Sequence, residues 1–230
     1  LSLMKSFYSE VEIMSKFNSP FIVKFVGYSL KDFKGRQSPT IITEFVPNGS
    51  LFDLLEQVRN GFAPKEWNAT RILITIYSIA LGMATVHSKN IIHRDLKPSN
   101  ILLDEHFLPK ICDFGLSVFD TGVFEKDMVG TPAYIAPEAI SKYEYTKAVD
   151  VYAFALIVNE IITLKNPYKK CDVFIACYKK MHDREGPKID DDVPESYKRL
   201  ITKCWQQDPK DRPTFEQIVL MLKTDKGFIT

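Results

Sequence analysis

Residues 93–100 read His-Arg-Asp-Leu-Lys-Pro-Ser-Asn, and the triplet Asp113-Phe114-Gly115 follows thirteen residues after Asn100. Between them lie two short apolar runs, Ile101-Leu102-Leu103 and Leu108 to Cys112, separated by a polar segment. Two such runs around a short polar segment predict a β-hairpin, because the chain can turn back on itself there. We therefore expect the hairpin to carry the polar residues of both stretches to one site.

The polar residues of these stretches are of kinds that handle charged phosphoryl groups. The carboxylate of Asp95 can accept or orient a hydroxyl proton. Asn100 and Asp113 offer the hard oxygen atoms that Mg²⁺ prefers. A transferred phosphoryl group carries heavy negative charge, so its catalysis rests on positioning and on charge neutralisation.

The composition is that of an ordinary soluble globular chain. Of its 230 residues, 45% are hydrophobic and 26% are charged, which is enough for one large or two small folded units. The formal net charge of +1 gives no electrostatic argument for binding nucleic acid or an acidic membrane surface. The longest apolar run, Val151 to Val158, is far shorter than the roughly 20 residues of a membrane-spanning helix. We expect no nucleic-acid partner and no membrane span.

The four cysteines are Cys112, Cys171, Cys177 and Cys204, without a Cys-x-x-Cys pair or an accompanying His cluster. This spacing argues against a zinc site or a disulfide framework, so reduced thiols in an intracellular, cytoplasmic location are expected. The chain begins at Leu1 rather than at methionine, and we expect it to be part of a longer protein.

The spacing of apolar residues predicts an α+β organisation in two parts. In residues 1–46, apolar residues at three- and four-residue intervals predict a helix over 5–17. Runs rich in β-branched and aromatic residues predict strands over 21–30 and 40–46. The turn Pro47-Asn48-Gly49 closes this part and is the expected hinge.

Helical patterns dominate the second part, residues 47–230. Apolar stripes predict amphipathic helices over 51–58, 72–86, 195–204 and 215–222. The segment Val149 to Thr163 is apolar almost throughout, which predicts a helix buried on all sides. Residues 113–138 have weak periodicity and predict a long loop, and such loops in compact domains usually carry function.

The motifs and their order resemble those of a eukaryotic protein kinase domain, from Ser6 to about Leu222. The colinear motifs are residues 93–100, Asp113-Phe114-Gly115, Gly130-Thr131, Ala136-Pro137-Glu138, Asp150 and Arg212-Pro213-Thr214. The sequence around Cys204-Trp205 and Arg212-Pro213-Thr214-Phe215 is most similar to that of the tyrosine-kinase-like group of Ser/Thr kinases. The resemblance implies a bilobal α+β fold with an incomplete small lobe at 1–46 and a large, mainly helical lobe at 47–230.

This resemblance also implies a function. Such a protein would transfer the γ-phosphate of ATP to Ser/Thr hydroxyls of protein substrates in signalling, with ATP and Mg²⁺ as cofactors. Asp95 would be the catalytic carboxylate, and Lys97 would contact the γ-phosphate. Asn100 and Asp113 would hold the metal and the nucleotide. A lysine at position 97 favours Ser/Thr substrates over tyrosine.

On the nucleotide side, the resemblance implies that the backbone groups of Glu44 and Val46 bond the adenine edge. Thr43 would control access to the pocket behind adenine. Leu102 would form the apolar floor, although a plain core leucine fits the same pattern. Cys112 directly precedes Asp113-Phe114-Gly115. The favoured interpretation is that it is a small, buried apolar thiol. The alternative is that it faces the nucleotide pocket and can be labelled by electrophiles directed to that pocket.

Glu10 matches the helix glutamate that pairs with an ATP-contacting lysine in the family. The glycine-rich loop and the lysine strand that normally precede this helix have no counterpart before it in these residues. We therefore expect Glu10 to be an exposed helical acid without a partner. Truncation of a longer protein is the favoured cause, and natural loss in a pseudokinase is the alternative.

Regulatory and structural roles follow from the same resemblance. Arg94 would bind the phosphate of a phosphorylated activation loop, which lies between Gly115 and Ala136. Thr121 is the first candidate for the phosphorylated residue, and Ser117 is a weaker one. Thr131 would contact Asp95 and Lys97.

Other residues are expected to be structural. His93 and Phe114, with Met14 and Phe25, would form a hydrophobic column between the two lobes. Residues assigned to anchoring the large lobe are Glu138 and Arg212, as a buried ion pair, and Asp150, which would hold the backbone of the catalytic loop.

Three functions fit the sequence. The first is an active Ser/Thr protein kinase, and the second is a pseudokinase that serves as a binding or scaffold module with weak or no catalysis. The third, a tyrosine or dual-specificity kinase, is disfavoured by Lys97 and by Gly130-Thr131-Pro132.

Overall fold

Helices dominate the computed structural model, which describes residues 2–122, 127–167, 177–178 and 189–228. The described helices are α1 (Ser2–Ser15), α2 (Leu51–Arg59), α3 (Ala69–Ser88), α4 (Pro137–Ser141), α5 (Lys147–Thr163), α6 (Glu195–Cys204) and α7 (Phe215–Thr224). The described strands are β1 (Phe25–Ser29), β2 (Thr40–Thr43), β3 (Ile91–Ile92), β4 (Ile101–Leu103), β5 (Pro109–Ile111) and β6 (Val118–Phe119). The fold is therefore α+β, as the sequence predicts.

The strands form two-stranded antiparallel sheets, in the pairs β1–β2, β3–β6 and β4–β5. The predicted hairpin is β4–β5, in which Ile101 faces Ile111 and Leu103 faces Pro109. Asp104 closes its turn, because Asp104 Oδ1 accepts hydrogen bonds from the N–H groups of His106 and Leu108, both at 2.9 Å.

The predicted strand over 21–30 is too long, since β1 begins only at Phe25. The preceding residues pair with β5 instead: the N–H of Val23 donates to Ile111 O and the N–H of Ile111 donates to Phe21 O, each at 2.9 Å. Gly82 of α3 permits this close packing, because a Cβ there would lie 2.7 Å from Ile111 Cδ1 and 3.0 Å from Phe21 O.

Helix α5 lies at the centre of the described part of residues 47–230. Every residue from Val149 to Ile161 is buried, which confirms the predicted helix buried on all sides. It contacts α3, α6 and β3. Burying a charged group requires partners: Asp150 bonds the 93–100 loop, and Glu160 bonds Arg59 and Tyr134.

The predicted loop over 113–138 contains regular structure at both ends. Residues Val118–Phe119 form β6, and α4 begins at Pro137. A two-residue strand shows no periodicity of its own, and β6 is defined only by its pairing with Ile91–Ile92 of β3.

Among the described helices, α3 alone is long and apolar enough to cross a membrane by length and composition, with a mean hydropathy of 1.6. The core helix of a folded domain meets the same criterion, and α3 packs against α7 and β5.

Candidate active site

Asp150 of α5 holds the backbone of the 93–100 loop. Its Oδ2 accepts the N–H of His93 at 2.8 Å, and its Oδ1 accepts the N–H of Arg94 at 2.9 Å. His87 Nε2 lies 2.9 Å from the same Oδ2. Asp150 is 1% exposed, and Arg94 has a φ of +67°, so a buried carboxylate fixes a strained turn of the loop.

This loop meets the segment 113–138, here called the activation segment, at Asp95. The N–H and the hydroxyl of Thr131 donate to Asp95 Oδ1 at 2.9 and 2.6 Å. Lys97 Nζ lies 2.7 Å from Asp95 Oδ2 and donates to the hydroxyl oxygen of Thr131 at 2.7 Å. The predicted contacts of Thr131 with Asp95 and Lys97 are present. Asp95 is 8% exposed, so these charges sit largely out of water, where electrostatic interactions are strong.

Asn100 is oriented so that its oxygen faces away from Asp95. Its Nδ2 donates to Asp95 O at 2.9 Å and to Asp95 Oδ2 at 3.1 Å, which engages both amide hydrogens and leaves Oδ1 for a ligand. Asp113 is exposed and follows Cys112, whose N–H donates to Asn100 O at 3.0 Å. An amide oxygen and a carboxylate fit Mg²⁺, which keeps several waters and takes phosphate oxygens as further ligands. The described residues contain no group of three or more His, Cys, Asp or Glu placed to bind a metal.

Glu10 lies beside Asp113, contrary to the expectation of an exposed acid. A Cβ on Gly115 would be 3.4 Å from Asp113 Oδ1 and 3.5 Å from Glu10 Oε2, so the two carboxylates flank one glycine. Glu10 is half-buried, and burial together with the charge of Asp113 raises its pKa. In the part of the chain that the structure describes, no Lys or Arg forms an ion pair with Glu10.

A stack of rings links Phe17, two residues beyond the end of α1, to the 93–100 loop. Phe114 is 1% exposed, and its ring centroid lies 5.1 Å from that of His93 and 4.9 Å from that of Phe17. Met14 is buried in the same core, whereas Phe25 is only partly buried. Phe17 was predicted only as part of the apolar stripe of its helix, and its contact with Phe114 became visible in three dimensions.

On the side predicted to bind adenine, the side chain of Glu44 joins three segments. Glu44 Oε1 accepts Lys110 Nζ at 2.8 Å and the N–H of Lys24 at 2.9 Å. Burial would raise the pKa of Glu44, but these hydrogen bonds outweigh it and lower that pKa. The N–H of Glu44 itself donates to Lys24 O at 3.0 Å, so the backbone atom of Glu44 suited to a ligand is its carbonyl oxygen.

Two further residues that are predicted to contact adenine are partly exposed. Val46 follows Glu44 by two positions and is partly buried. Leu102 is also partly buried, whereas Ile101 and Leu103 are both 0% exposed. Because side chains alternate along a strand, Leu102 points to the opposite face of β4 from these core residues. This favours a role in lining a pocket over that of a plain core leucine.

Cys112 is a free, partly buried thiol. Burial and the neighbouring Asp113 raise its pKa to about 12. The thiol is therefore protonated at neutral pH, which makes it a poor nucleophile.

Arg94 and Thr121 line one cavity of about 290 Å³, together with Ser9, Phe119 and Tyr145 among others. The Nε of Arg94 donates to Leu116 O, so this side chain already contacts the activation segment. Ser117 is 5% exposed and donates to His93 O at 3.2 Å, which makes it a buried structural hydroxyl rather than an accessible acceptor. Thr121 is exposed.

The predicted ion pair between Glu138 and Arg212 is present. Arg212 Nη1 and Nη2 donate to the two carboxylate oxygens at 2.6 and 2.8 Å, and the two residues are 5% and 7% exposed. Arg212 also donates to the carbonyl oxygens of Gln206 and Ala148, at 2.7 and 2.9 Å. This bidentate pair ties α4 to the segment before α7.

A second buried cluster was not predicted from the sequence. Glu160 is 0% exposed and binds Arg59 Nη2 of α2 at 2.6 Å and the hydroxyl of Tyr134. Burial and the charge of Glu160 raise the pKa of Tyr134. A glutamate inside an apolar helix is the one sequence signal that could have indicated the cluster, because a buried charge requires partners.

Comparison with known proteins shows the family to which the chain belongs. The family described as "Protein kinase domain" matches residues 2–221. The chain belongs to the protein kinase family. This kinase chain is 34% identical over 217 residues to a probable serine/threonine-protein kinase of Dictyostelium discoideum, covering 94% of the chain and 16% of that protein.

Two further kinases are similar to the chain over nearly its whole length. The chain is 34% identical to the serine/threonine-protein kinase STY17 of Arabidopsis thaliana, over 96% of the chain and 37% of that protein. It is 35% identical to the dual specificity protein kinase pyk3 of Dictyostelium discoideum, over 97% of the chain and 16% of that protein. The kinase chain thus spans only part of the length of these curated relatives.

Proposed function

We propose that the protein is an ATP-dependent protein kinase that phosphorylates Ser and Thr residues of protein substrates. The observation that carries this proposal is the closed set of contacts among Asp95, Lys97 and Thr131, at 2.6 to 2.9 Å. It supports a reaction in which a carboxylate receives a hydroxyl proton beside a fixed cation.

Each residue has a proposed task. Asp95 orients the substrate hydroxyl and takes its proton, and Lys97 offsets charge on the transferred phosphoryl group. Asn100 and Asp113 hold Mg²⁺, which neutralises the charge of the ATP phosphates when bound. The carbonyl of Glu44, the backbone of Val46 and the side chain of Leu102 contact adenine.

The regulatory tasks are also proposals. Arg94 and Thr121 border the same cavity, which supports Thr121 as a phosphorylation site whose phosphate Arg94 would bind. We further propose that residues 1–46 and 47–230 form the two lobes and that the protein acts in intracellular signalling.

A second candidate function is a pseudokinase or scaffold module with weak or no catalysis. It would require that Glu10, which lies beside Asp113, has no lysine partner anywhere in the full-length protein, since a kinase needs a Lys paired with this glutamate to hold the ATP phosphates.

The test is ATP-dependent phosphorylation of a general protein substrate by the full-length protein, beside its Asp95→Asn and Asp192→Asn variants. We expect Asp95→Asn to lose at least about a hundredfold in kcat, since general base catalysis contributes that much. Asp192→Asn controls for the loss of an exposed carboxylate away from the site. Equal activity of Asp95→Asn and wild type would refute the mechanism, and phosphotyrosine as the main product would refute the Ser/Thr assignment. An inactive wild type that still binds ATP would favour the pseudokinase.

A further inference from the structure

The turn that precedes α5 carries a buried tyrosine, Tyr145, which has no part in the proposed chemistry. It is 3% exposed, although Tyr143, two residues earlier, is 41% exposed. Burying a phenol requires a partner for its hydroxyl, so the contacts of Tyr145 indicate what its burial achieves.

The hydroxyl of Tyr145 makes two hydrogen bonds to one residue of the activation segment. It accepts the N–H of Val129 at 2.6 Å and donates to Val129 O at 3.0 Å. Bonds to both the N–H and the carbonyl of one residue fix the peptide planes on either side of it. Val129 cannot rotate without losing both bonds, so Tyr145 sets the direction in which the chain leaves Val129.

The chain that leaves Val129 runs directly into the catalytic site. Gly130 has a φ of +109°, and a Cβ there would lie 2.6 Å from Arg94 O, so the segment touches the catalytic loop at this point. Thr131 follows with its two hydrogen bonds to Asp95 Oδ1. A single residue, Gly130, therefore separates Val129, which Tyr145 holds, from Thr131, whose N–H and hydroxyl bind Asp95.

The ring of Tyr145 contacts the 93–100 loop. The guanidinium carbon of Arg94 lies 5.5 Å from the centre of the Tyr145 ring, within the range of a cation–π contact. The N–H of Arg94 is held by Asp150. Tyr145 thus touches both segments whose meeting forms the Asp95–Thr131 contact.

From this geometry we infer that Tyr145 is a positioning residue for phosphoryl transfer: its hydroxyl holds Val129 so that Thr131 is bound to Asp95. The inference deepens the proposed kinase function and rests on it. It assigns the effect to the hydroxyl, because the ring alone would keep the contact with Arg94.

The experiment compares Tyr145→Phe with Tyr143→Phe in the full-length protein. Both variants lose one hydroxyl from the same turn, but only the first loses bonds to Val129. Hydrogen–deuterium exchange, resolved to single amides, is measured at Val129 and Thr131, and kcat and KM are measured for protein substrate and for ATP.

In Tyr145→Phe we expect exchange at both amides to rise about three- to tenfold, the change that loss of one ordinary hydrogen bond gives. We expect kcat to fall by a similar factor, with the KM for ATP within about twofold of wild type. Tyr143→Phe should match wild type in every reading.

Unchanged exchange at Thr131, or an unchanged kcat despite faster exchange, would overturn the inference. If the wild type transfers no phosphate, the kinase proposal fails, and the exchange readings still decide the positioning role. Faster exchange at both amides supports it, and faster exchange at Val129 alone contradicts it.

Discussion

Thr131 donates two hydrogen bonds to a single oxygen of Asp95, from its N–H at 2.9 Å and from its hydroxyl at 2.6 Å. The hydroxyl oxygen also accepts a hydrogen bond from Lys97 at 2.7 Å. The proposed base is therefore oriented by the activation segment as well as by its own loop. Any change that moves this segment should reach the chemistry through Thr131.

Replacing Thr131 by Val should lower kcat by about tenfold, because it removes the hydroxyl that donates to Asp95 and accepts from Lys97 while the N–H contact remains. Thr131→Ser keeps the hydroxyl and should retain most of the activity. Steady-state phosphorylation assays check both variants. If Val and Ser at this position behave alike, the hydroxyl is not what orients Asp95.

Removal of Arg212 should destabilise the fold strongly. Arg212→Leu leaves Glu138 buried and without its bidentate partner, which costs about 3–5 kcal/mol in the free energy of unfolding. Urea denaturation followed by circular dichroism measures the loss. The matched control is Lys165→Ala, which breaks an exposed pair with Asp190 and should cost no more than about 1 kcal/mol. Similar losses in both variants would contradict the assigned role of the buried pair.

Cys112 should resist alkylation at neutral pH. With its pKa raised to about 12, its thiolate fraction at pH 8 is about a thousandfold below that of an ordinary thiol. Mass spectrometry of iodoacetamide-treated protein gives the rate, with N-acetylcysteine as the reference and Cys112→Ser to assign the signal. If Cys112 borders the nucleotide, ATP with Mg²⁺ should slow the reaction further. Rapid labelling at pH 7 would show that its environment is misassigned.

Glu10→Gln should stabilise this chain at pH 7. Burial and Asp113 raise the pKa of Glu10 in the folded state, so its ionised form is disfavoured there. The resulting cost appears as the pH rises above the unfolded pKa of about 4.3 and is absent well below it. Because Glu10 is only half-buried, solvent screening keeps the gain small, and we expect less than about 1 kcal/mol, or roughly 1–3 °C in Tm, at pH 7 and none at pH 3.

The control for Glu10 is Glu12→Gln on the same helix. Glu12 is exposed and lies 3.4 Å from Lys16, so its neutralisation should give no gain. Destabilisation by Glu10→Gln at pH 7 would mean that a cation pairs with Glu10, contrary to its contacts here.

Local patterns predicted much of this fold. The helix α5 and the hairpin β4–β5 were both recovered, because an apolar stretch of helical length and two short runs around a turn are decided within a few residues. Strand ends were predicted less well. Residues 21–24 have strand-like composition, yet partners far along the chain, at Ile111 and Glu44, decide where they pair.

In the candidate site, too, some residues could be predicted from the sequence and others could not. Its chemistry at Asp95, Asn100 and Asp113 lies in short contiguous motifs that the sequence displays directly. The residues that hold those motifs in place do not: Tyr145 and Glu160 each act through partners 16 to 101 positions away. A single tyrosine carries no pattern that would single it out, and a glutamate within an apolar helix indicates that partners exist without indicating which residues they are.

The attachment of the 93–100 loop to Asp150 has a consequence for how the proposed activity would be lost. Loops usually open locally at little cost, but the amides of His93 and Arg94 are bonded to a helix at the centre of the core. Local opening of this loop therefore requires the loss of two hydrogen bonds to the buried helix α5. Heat should therefore abolish catalysis and tertiary structure in one transition. A substrate would bind to a loop that is already ordered, so binding would not have to supply the free energy of ordering it.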